Sequence, residues 1–432
     1  MGRAESSTER IQRLTNHWQF FTVVAAYLVG VYWRWHHITV LHDPRDHIYS
    51  DMKVYISAAQ RIANPSYQLQ PYDVTHPPAT AMLFSEFLQA DPSMYWLMIL
   101  QFVVSALIPL AIGALAWVTF DRRAAGWSVI VSSAYFFYVE YGSFFLSEIY
   151  MMLLIPLTLT LYLLAVRMKR VSTAALVGAA TGGFFFLSLA FKTVAGPAIL
   201  GFCGIHWLLG RGSLRKIRTV ALAAMCLAAT PGVYAMSQRC TAVNQGKLCF
   251  GSNKTAGDFL LGHYGRIHSV QWTDSKFGSP AAQQHGYTAV PRVGFSITDS
   301  EKNATVAWDW VNANKLDAVV LSVQHVFDLF SSNAPWPVIW TDEWATAQAH
   351  QYLFIIFLMF PSLLLCFDLA RCYGVVALLR SREFLLLSVV FGVVVAVFIA
   401  TGEPRYRLPF DCSFIIVGVQ FYRRMAARHL PL

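Results

Sequence analysis

Charge is scarce in this 432-residue sequence: only 13% of the residues are Asp, Glu, Lys or Arg, whereas 56% are hydrophobic. The apolar residues are gathered into long runs, a pattern that excludes an ordinary soluble domain and is typical of a polytopic membrane protein. The sequence contains no CxxC or HExxH motif and no Cys/His cluster, so nothing in it predicts a zinc site. It also lacks a Walker loop and a GxGxxG motif after a strand, and nucleotide hydrolysis is therefore not supported.

The apolar runs predict an all-α protein with about ten transmembrane helices, because a helix that spans the bilayer needs about 20 apolar residues. The first run is too long for a secretory signal and is followed by further spans, so we expect it to be retained. The candidate spans are 18–38, 94–120, 127–146, 148–166, 172–191, 194–210, 219–238, 351–370, 383–401 and 408–422.

Five basic clusters fall on one side of the membrane when all ten spans are counted, and the positive-inside rule makes that side, with both termini, cytoplasmic. The clusters are Arg122/Arg123, 167–170, 211–218, Arg380/Arg382 and 422–429. They account for most of the formal charge of +9, so we expect no nucleic-acid partner. The expected location is a bacterial cytoplasmic membrane, with the functional face toward the periplasm.

Two long exoplasmic loops hold most of the sequence outside the spans, and they divide the chain into three predicted parts. Residues 1–238 form an N-terminal transmembrane module whose first exoplasmic loop, 42–91, carries the catalytic group. Residues 239–350 form the large exoplasmic loop, and residues 351–432 form the C-terminal transmembrane helices. Cys240 and Cys249 open the large loop, and in an oxidising compartment they either form a disulfide or remain as free thiols.

The first outer loop predicts two helices. The first runs from about 50 to 64 as an amphipathic helix on the membrane surface, and Asp51 lies at its N-terminus, where Asp is also a good cap. The second runs from about 77 to 88 with prolines in its first turn. His76 precedes it and is either a substrate contact or an ordinary surface imidazole.

Three features resemble the GT-C superfamily of integral membrane glycosyltransferases, which use a sugar carried on a polyprenyl phosphate. They are the acidic residue after the first span in YSDMKVY (49–55), the YDVTHPPAT stretch between the loop helices (72–80), and the late GEPRYRLPF (402–410). The last is similar to the Arg-Tyr-x-x-Pro segment of enzymes related to protein mannosyltransferases and aminoarabinose transferases. Protein mannosyltransferases carry Asp-Glu where this sequence has Asp51-Met52, and the soluble C-terminal domain of oligosaccharyltransferases has no counterpart here. These two differences make a protein acceptor less expected and favour a lipid or a lipid-linked glycan as the acceptor.

The resemblance also implies the roles of the site residues. Asp51 would be the general base that takes the proton of an acceptor hydroxyl. Arg405 and Arg407 would bind the phosphate of the donor, since guanidinium groups match phosphate oxygens, while Glu403 and the neighbouring prolines hold the segment rigid. The alternative for both arginines is that they snorkel to lipid headgroups.

Further substrate contacts are predicted at Tyr55, His76, Lys192, His263 and Arg266. Lys192 ends an apolar run on the outer side, where it either binds the phosphate or snorkels. His263 and Arg266 lie in a stretch rich in aromatics and glycines, which suits either sugar binding or an ordered lid.

Two further pairs of residues have predicted roles. Glu140 and Glu148 bracket an outer turn, where either one of them faces the active cavity or they cap the loop or pair with an arginine. Gly182 and Gly183 are expected to permit close helix packing.

The sequence thus predicts an inverting glycosyltransferase and indicates no cofactor, while DPRD (43–46) leaves open whether a hard metal cation is required. Its partners are a polyprenyl-phosphate-linked sugar donor, a lipid or glycan acceptor and the lipid bilayer. The alternative is a secondary transporter or lipid flippase, which requires inverted repeats and charges near the bilayer midplane. A non-catalytic membrane scaffold is a third reading.

Overall fold

The computed structural model describes residues 7–49, 51–210, 212–244, 246–253, 258–259, 300–338, 341–400 and 402–429. Within these ranges the regular structure is helical and no residue lies in a β-strand, which confirms the all-α prediction.

The helices of the described residues follow in chain order. The first half contains α1 (Ser7–His36), α2 (Asp51–Ile62), α3 (Pro78–Ala90), α4 (Tyr95–Thr119), α5 (Arg122–Ser133), α6 (Phe136–Glu140), α7 (Glu148–Ala165), α8 (Val171–Phe191), α9 (Ala195–Leu208) and α10 (Gly212–Val243). The second half contains α11 (Ser300–Ala313), α12 (Lys315–Leu329), α13 (Trp344–Phe354), α14 (Phe360–Tyr373), α15 (Val375–Leu379), α16 (Arg382–Ile399), α17 (Pro404–Arg407) and α18 (Asp411–His429). A π-helical turn joins α13 to α14.

Six helices in the described part of the chain are long and apolar enough to cross a membrane. They are Tyr95–Thr119, Glu148–Ala165, Val171–Phe191, Leu214–Val243, Trp344–Tyr373 and Arg382–Ile399. Each coincides with a predicted span. The other four predicted spans overlap α1, α5, α9 and α18, of which α5 and α9 have only 12 and 14 residues. The total of about ten spans therefore stays a prediction.

The span predicted at 127–146 is not one helix. Helix α5 ends at Ser133, and a short helix and a 3-10 turn follow in a segment that is buried throughout. Arg34 stabilises the break, since its guanidinium donates to the carbonyl oxygens of Ser133 (2.8 Å), Ser132 (3.1 Å) and Ser105 (3.1 Å). Irregular backbone is tolerated at membrane depth when other protein groups satisfy its carbonyls in this way.

Helices α8 and α10 pack closely against each other. A Cβ atom built on Gly182 would lie 2.4 Å from the carbonyl oxygen of Met225, so only glycine fits at this crossing. Gly183 has no such neighbour within 4 Å. The packing prediction is thus confirmed for Gly182 and wrong for Gly183, because adjacent residues of a helix point about 100° apart.

The first outer loop folds as expected, with α2 beginning at Asp51 and α3 at Pro78. Its middle part is held by the segment after α10, which the disulfide between Cys249 and Cys240 ties to the last turn of α10. The backbone N–H of Asn253 donates to the carbonyl oxygen of Val74 (2.9 Å), and the hydroxyl of Ser252 donates to that of Thr75 (2.6 Å). These bonds fix the wall of the cavity described below.

The segment after α16 lies against α12 at a position where only glycine fits. A Cβ atom on Gly402 would lie 1.8 Å from the carbonyl oxygen of His325. This close approach sets the start of α17, whose first residue is Pro404, a residue suited to the first turn of a helix. The charged side chains of the late motif are positioned by this contact.

Candidate active site

One cavity of about 300 Å³ brings together residues from distant parts of the chain. It is lined by α2, the loop 75–77, the turn between α8 and α9, the last turn of α16, and α17. Five of the predicted site residues line it: Asp51, Tyr55, His76, Lys192 and Arg405.

Arg405 is the central cation of this cavity, and only 4% of its side chain is exposed. Its Nη1 lies 3.3 Å from Asp51 Oδ2, and its Nε lies 2.8 Å from Glu403 Oε2. The guanidinium also stacks on the ring of Trp336, with 4.4 Å from the guanidinium carbon to the ring centroid. Burial lowers the pKa of Arg405, but the charge of Glu403 and the nearby Tyr406 and Asp51 raise it well above its ordinary value. The guanidinium therefore stays charged.

Glu403 holds the late motif to the chain around Trp336. Its Oε1 accepts the backbone N–H of Trp336 (3.1 Å) while Oε2 pairs with Arg405. Burial raises the pKa of Glu403 to about 7, although the positive charge of Arg405 opposes this shift. Glu403 is not among the residues that line the cavity, so it orients Arg405 and does not reach into the open space.

Lys192 supplies a second cation close to the ring of Tyr406. Its Nζ donates to Glu148, and it lies 5.2 Å from the centroid of the Tyr406 ring, whereas the guanidinium carbon of Arg405 lies 5.1 Å from the same centroid. The Oε2 of Glu148 also accepts the hydroxyl of Ser147 (3.0 Å). The ion pair holds Lys192 in the cavity wall, close to the ring of Tyr406.

Tyr55 and His76 form the polar wall near Asp51. The Tyr55 hydroxyl lies 3.4 Å from Ser147 Oγ and 3.5 Å from His76 Nδ1. Burial and the charges of Glu148 and Asp51 raise the pKa of Tyr55 well above its ordinary value, so the phenol stays neutral. A neutral phenol and an imidazole are suited to hydrogen bonds with hydroxyl groups.

The cavity therefore combines two carboxylates, Asp51 and Asp258, with two cations and several hydroxyl-binding groups at the ends of apolar helices. Such a set can take a proton from a hydroxyl at Asp51 and hold a phosphate at Arg405 and Lys192. The five residues belong to α2, to the loop before α3, to the turn after α8 and to α17.

Solved structures share this fold. The archaeal oligosaccharyltransferase AglB from Archaeoglobus fulgidus, in complex with an inhibitory peptide and a dolichol-phosphate, matches with a TM-score of 0.54 and 12% identity over 96% of this chain. The apo form of the Archaeoglobus fulgidus oligosaccharyltransferase matches with a TM-score of 0.54 and 13% identity over 96% of this chain. The form tethered to an acceptor peptide matches with a TM-score of 0.53 and 12% identity over 95%. No protein-family model and no curated protein matches the sequence.

This chain has the GT-C fold. It spans about half the length of the solved structures that it matches, between 50% and 52% of those three chains. At 12 to 13% identity the likeness concerns the fold, and the assignment of individual residues depends on the cavity itself.

Arg407 does not reach the cavity of this GT-C fold, contrary to the predicted phosphate contact. Its side chain is fully buried, its Nε pairs with Asp411 Oδ1 at 2.8 Å, and its Nη2 donates to Gln351 Oε1 at 3.2 Å. The guanidinium also stacks on Phe354 at 4.2 Å. Arg405 and Arg407 are two residues apart in a helical turn and so point in nearly opposite directions. Arg407 therefore holds α17 to α18 and α13.

The two acidic residues of the outer turn also separate. Glu148 forms an ion pair, but its partner is Lys192 and not an arginine. Glu140 lies 2.5 Å from His37 in the core. His263 and Arg266 lie outside the described residues. Among the residues that the structure does describe, no group of three or more His, Cys, Asp or Glu side chains is arranged to hold a metal ion.

The sequence did not single out three residues that shape the site. Trp336 stacks on Arg405, the ring centroid of Tyr406 lies 5.1 Å from Arg405 and 5.2 Å from Lys192, and Ser252 lines the cavity where it is bonded to Thr75 of the first loop. Tyr406 lies inside the predicted motif GEPRYRLPF, so the sequence alone could have indicated it. Trp336 and Ser252 belong to the large outer loop, and their positions depend on contacts with residues far away in the chain.

Proposed function

We propose that this chain is an inverting glycosyltransferase that moves a monosaccharide from a polyprenyl-phosphate carrier to a lipid or lipid-linked glycan on the exoplasmic side of the membrane. One observation carries the proposal: Asp51 and Arg405 meet in a single cavity together with Lys192. A carboxylate and a pair of cations are the two components that this transfer requires.

Asp51 is proposed as the general base. The hydroxyl of an acceptor is a poor nucleophile until a positioned carboxylate takes its proton, a contribution of about two to four orders of magnitude in rate. About a quarter (24%) of the Asp51 side chain is exposed, so the carboxylate is open to the cavity. Tyr55 and His76 lie on the same wall and are placed to hydrogen-bond sugar or acceptor hydroxyls.

Arg405 and Lys192 are proposed to bind the phosphate of the donor. The leaving group is already a stable anion, so it needs cations rather than an acid. Because Lys192 Nζ and the guanidinium carbon of Arg405 lie 5.2 Å and 5.1 Å from the centroid of the Tyr406 ring, a phosphate beside this ring is within reach of both. The donor would take over part of the hydrogen bonding that Arg405 now gives to Asp51.

The transfer is a single displacement. The acceptor oxygen forms a bond to the anomeric carbon, the bond from that carbon to the phosphate oxygen breaks, and the acceptor proton passes to Asp51. The electron pair of the broken bond leaves with the polyprenyl phosphate, whose charge rests against Arg405 and Lys192. Because base and leaving group must lie on opposite faces of the anomeric carbon, the sugar has to enter between Asp51 and Arg405, and the configuration inverts.

The surroundings of the cavity bear on the chemical class of the acceptor. The structural relatives were solved with a dolichol-phosphate and with peptides, in one case an acceptor peptide. In the described residues of this chain the cavity opens beside the apolar ends of α9 and α16, which favours a substrate that lies in the membrane.

The test is transfer by the purified full-length chain. Polyprenyl-phosphate sugars are offered together with a membrane lipid extract or with short peptides, and products are identified by mass and by the anomeric coupling in NMR. We expect a product from the lipid extract with a configuration opposite to that of the donor. Retention of configuration contradicts the single displacement. Movement of the donor across proteoliposomes without transfer identifies a flippase instead.

A further inference from the structure

A second and larger cavity, of about 900 Å³, adjoins the active cavity and shares two lining residues with it, Ser252 and Ile399. Its volume is within the range of ligand pockets, and its walls are mainly apolar and aromatic. Helices α11 and α12, the segment 248–253 and the end of α16 form these walls. The transfer chemistry proposed above makes no use of this space.

The last turn of α16 separates the two cavities. Ala396 and Val397 line the first cavity, Phe398 lines the second, and Ile399 lines both. At about 100° per residue, Phe398 points away from the face that carries Ala396 and Val397, and Ile399 lies at its edge. One helix end thus presents an apolar surface to each of two spaces.

The first cavity already contains an apolar route for the donor chain. Val194 and Pro197 at the start of α9 face Ala396 and Val397 of α16, directly beside Lys192. A phosphate held by Lys192 therefore has apolar surface next to it, along which an isoprenyl chain can run into the bilayer. The second cavity lies on the other side of α16 and is not needed for this chain.

Helix α12 forms the outer wall of the second cavity and presents an apolar stripe to its surroundings. Leu316, Val320, Val323 and Phe327 are between 43% and 76% exposed and recur at helical spacing. An exposed stripe of this kind lies against lipid in a membrane protein. The outer wall of the second cavity is consequently next to lipid.

The partition at the junction is firmly anchored. Ser252 and Asn253 are bonded to the backbone of Thr75 and Val74, and the disulfide between Cys240 and Cys249 closes the segment that leads to them. The junction between the cavities therefore has a fixed position beside Thr75, which itself lines the active cavity.

We infer that the second cavity binds the hydrocarbon chain of a lipid acceptor, whose hydroxyl-bearing head passes Ser252 and reaches Asp51. This inference rests on the proposed transferase function. It assigns each substrate its own apolar route. The donor chain lies between α9 and α16, and the acceptor chain lies between α11, α12 and the opposite face of α16. Two chains in separate routes do not compete, so both substrates can be bound during one displacement.

The experiment uses a long-chain alkyl glycoside with a diazirine in its chain as the acceptor probe. The full-length chain is irradiated with the probe, and labelled peptides are identified by mass spectrometry. We expect the label on Ser300–Leu329 rather than on Ala195–Leu208, and no competition by polyprenyl phosphate. Competition by polyprenyl phosphate assigns the cavity to the donor chain and overturns the inference, as does labelling spread evenly over all lipid-facing helices.

Helix α12 offers a matched pair of variants. Val319 and Val320 are adjacent valines that are each 55% exposed, but only Val319 lines the second cavity. Val319→Trp fills the cavity and is expected to reduce labelling of Ser300–Leu329 about tenfold, whereas Val320→Trp retains it. Equal labelling in the two variants overturns the inference, and their thermal unfolding shows that both are folded.

The same variants separate this inference from the function on which it rests. If the wild type transfers sugar to a lipid and Val319→Trp leaves the acceptor KM unchanged, the inference alone is wrong. If labelling behaves as expected but no donor supports transfer, the second cavity is a lipid site and the proposed transferase function is wrong.

Discussion

Arg405 Nη1 lies 3.3 Å from Asp51 Oδ2, although 354 residues separate the two in the chain. This contact joins the first loop helix to the late motif and defines the centre of the active cavity. It also means that the proposed base and the proposed phosphate ligand hold each other until a substrate separates them. The predictions below follow from this arrangement and from the packing around it.

Donor binding should depend on pH through Glu403. The pKa of about 7 is above its ordinary value, so below this pH the carboxyl is neutral in the folded protein. A neutral Glu403 removes one negative charge beside Arg405 and favours the phosphodiester of the donor, whose single charge does not change in this range. Affinity should therefore weaken as pH rises through 7, by at most about tenfold per pH unit.

Glu403→Gln is the matched variant for this effect, because it keeps the shape of the side chain and cannot ionise. Donor affinity measured by calorimetry between about pH 6 and 8 should be independent of pH in this variant. A pH slope equal to that of the wild type would assign the titration to a group other than Glu403.

Lys192 and Glu148 should behave as a buried pair. Lys192→Met leaves the carboxylate of Glu148 without its cation, and Glu148→Gln leaves the ammonium of Lys192 without its anion, so each single change should cost about 3 kcal/mol of stability. The double variant should unfold at a higher temperature than either single variant. Additive losses in thermal unfolding would show that the two groups are not coupled.

Arg407 should be required for stability and not for donor binding. Arg407→Met leaves Asp411 buried and unpaired, at a cost of about 3–5 kcal/mol, and Arg407→Met combined with Asp411→Leu should recover part of it. The folded fraction of the double variant should bind polyprenyl phosphate as the wild type does. If the double variant recovers stability but selectively loses phosphate binding, Arg407 is a phosphate ligand after all.

Gly182 and Gly183 provide a test of the helix packing. Gly182→Ala forces a Cβ atom against the carbonyl of Met225 and should lower the melting temperature, because α8 and α10 must move apart. Gly183→Ala meets open space and should raise stability by about 1 kcal/mol through helix propensity. Identical melting temperatures for the two variants would place the contact between α8 and α10 elsewhere.

The sequence predicted the helices and a large part of the site because both depend on local patterns. Apolar run length marks the spans, an acidic residue after the first span marks Asp51, and a cation at the end of an apolar helix marks Lys192. These signals are short in range, and the structure brings both residues that they indicate to one cavity.

What the sequence could not provide depends on orientation and on distant contacts. Arg405 and Arg407 are equivalent by composition and depth, and only the direction of α17 sends one into the cavity and the other into the core. The predicted span at 127–146 is interrupted because Arg34, a residue of another helix, binds the carbonyls at its break. Neither outcome can be derived from the local sequence.

The most direct measurement is donor affinity and turnover in Asp51→Asn and Arg405→Ala, compared with the wild type in the same detergent. The account predicts that Asp51→Asn binds a polyprenyl-phosphate sugar at least as tightly as the wild type and loses turnover by about two to four orders of magnitude. Arg405→Ala should lose donor affinity, since the phosphate loses its central cation. Full turnover in folded Asp51→Asn would contradict the central claim that this carboxylate is the base.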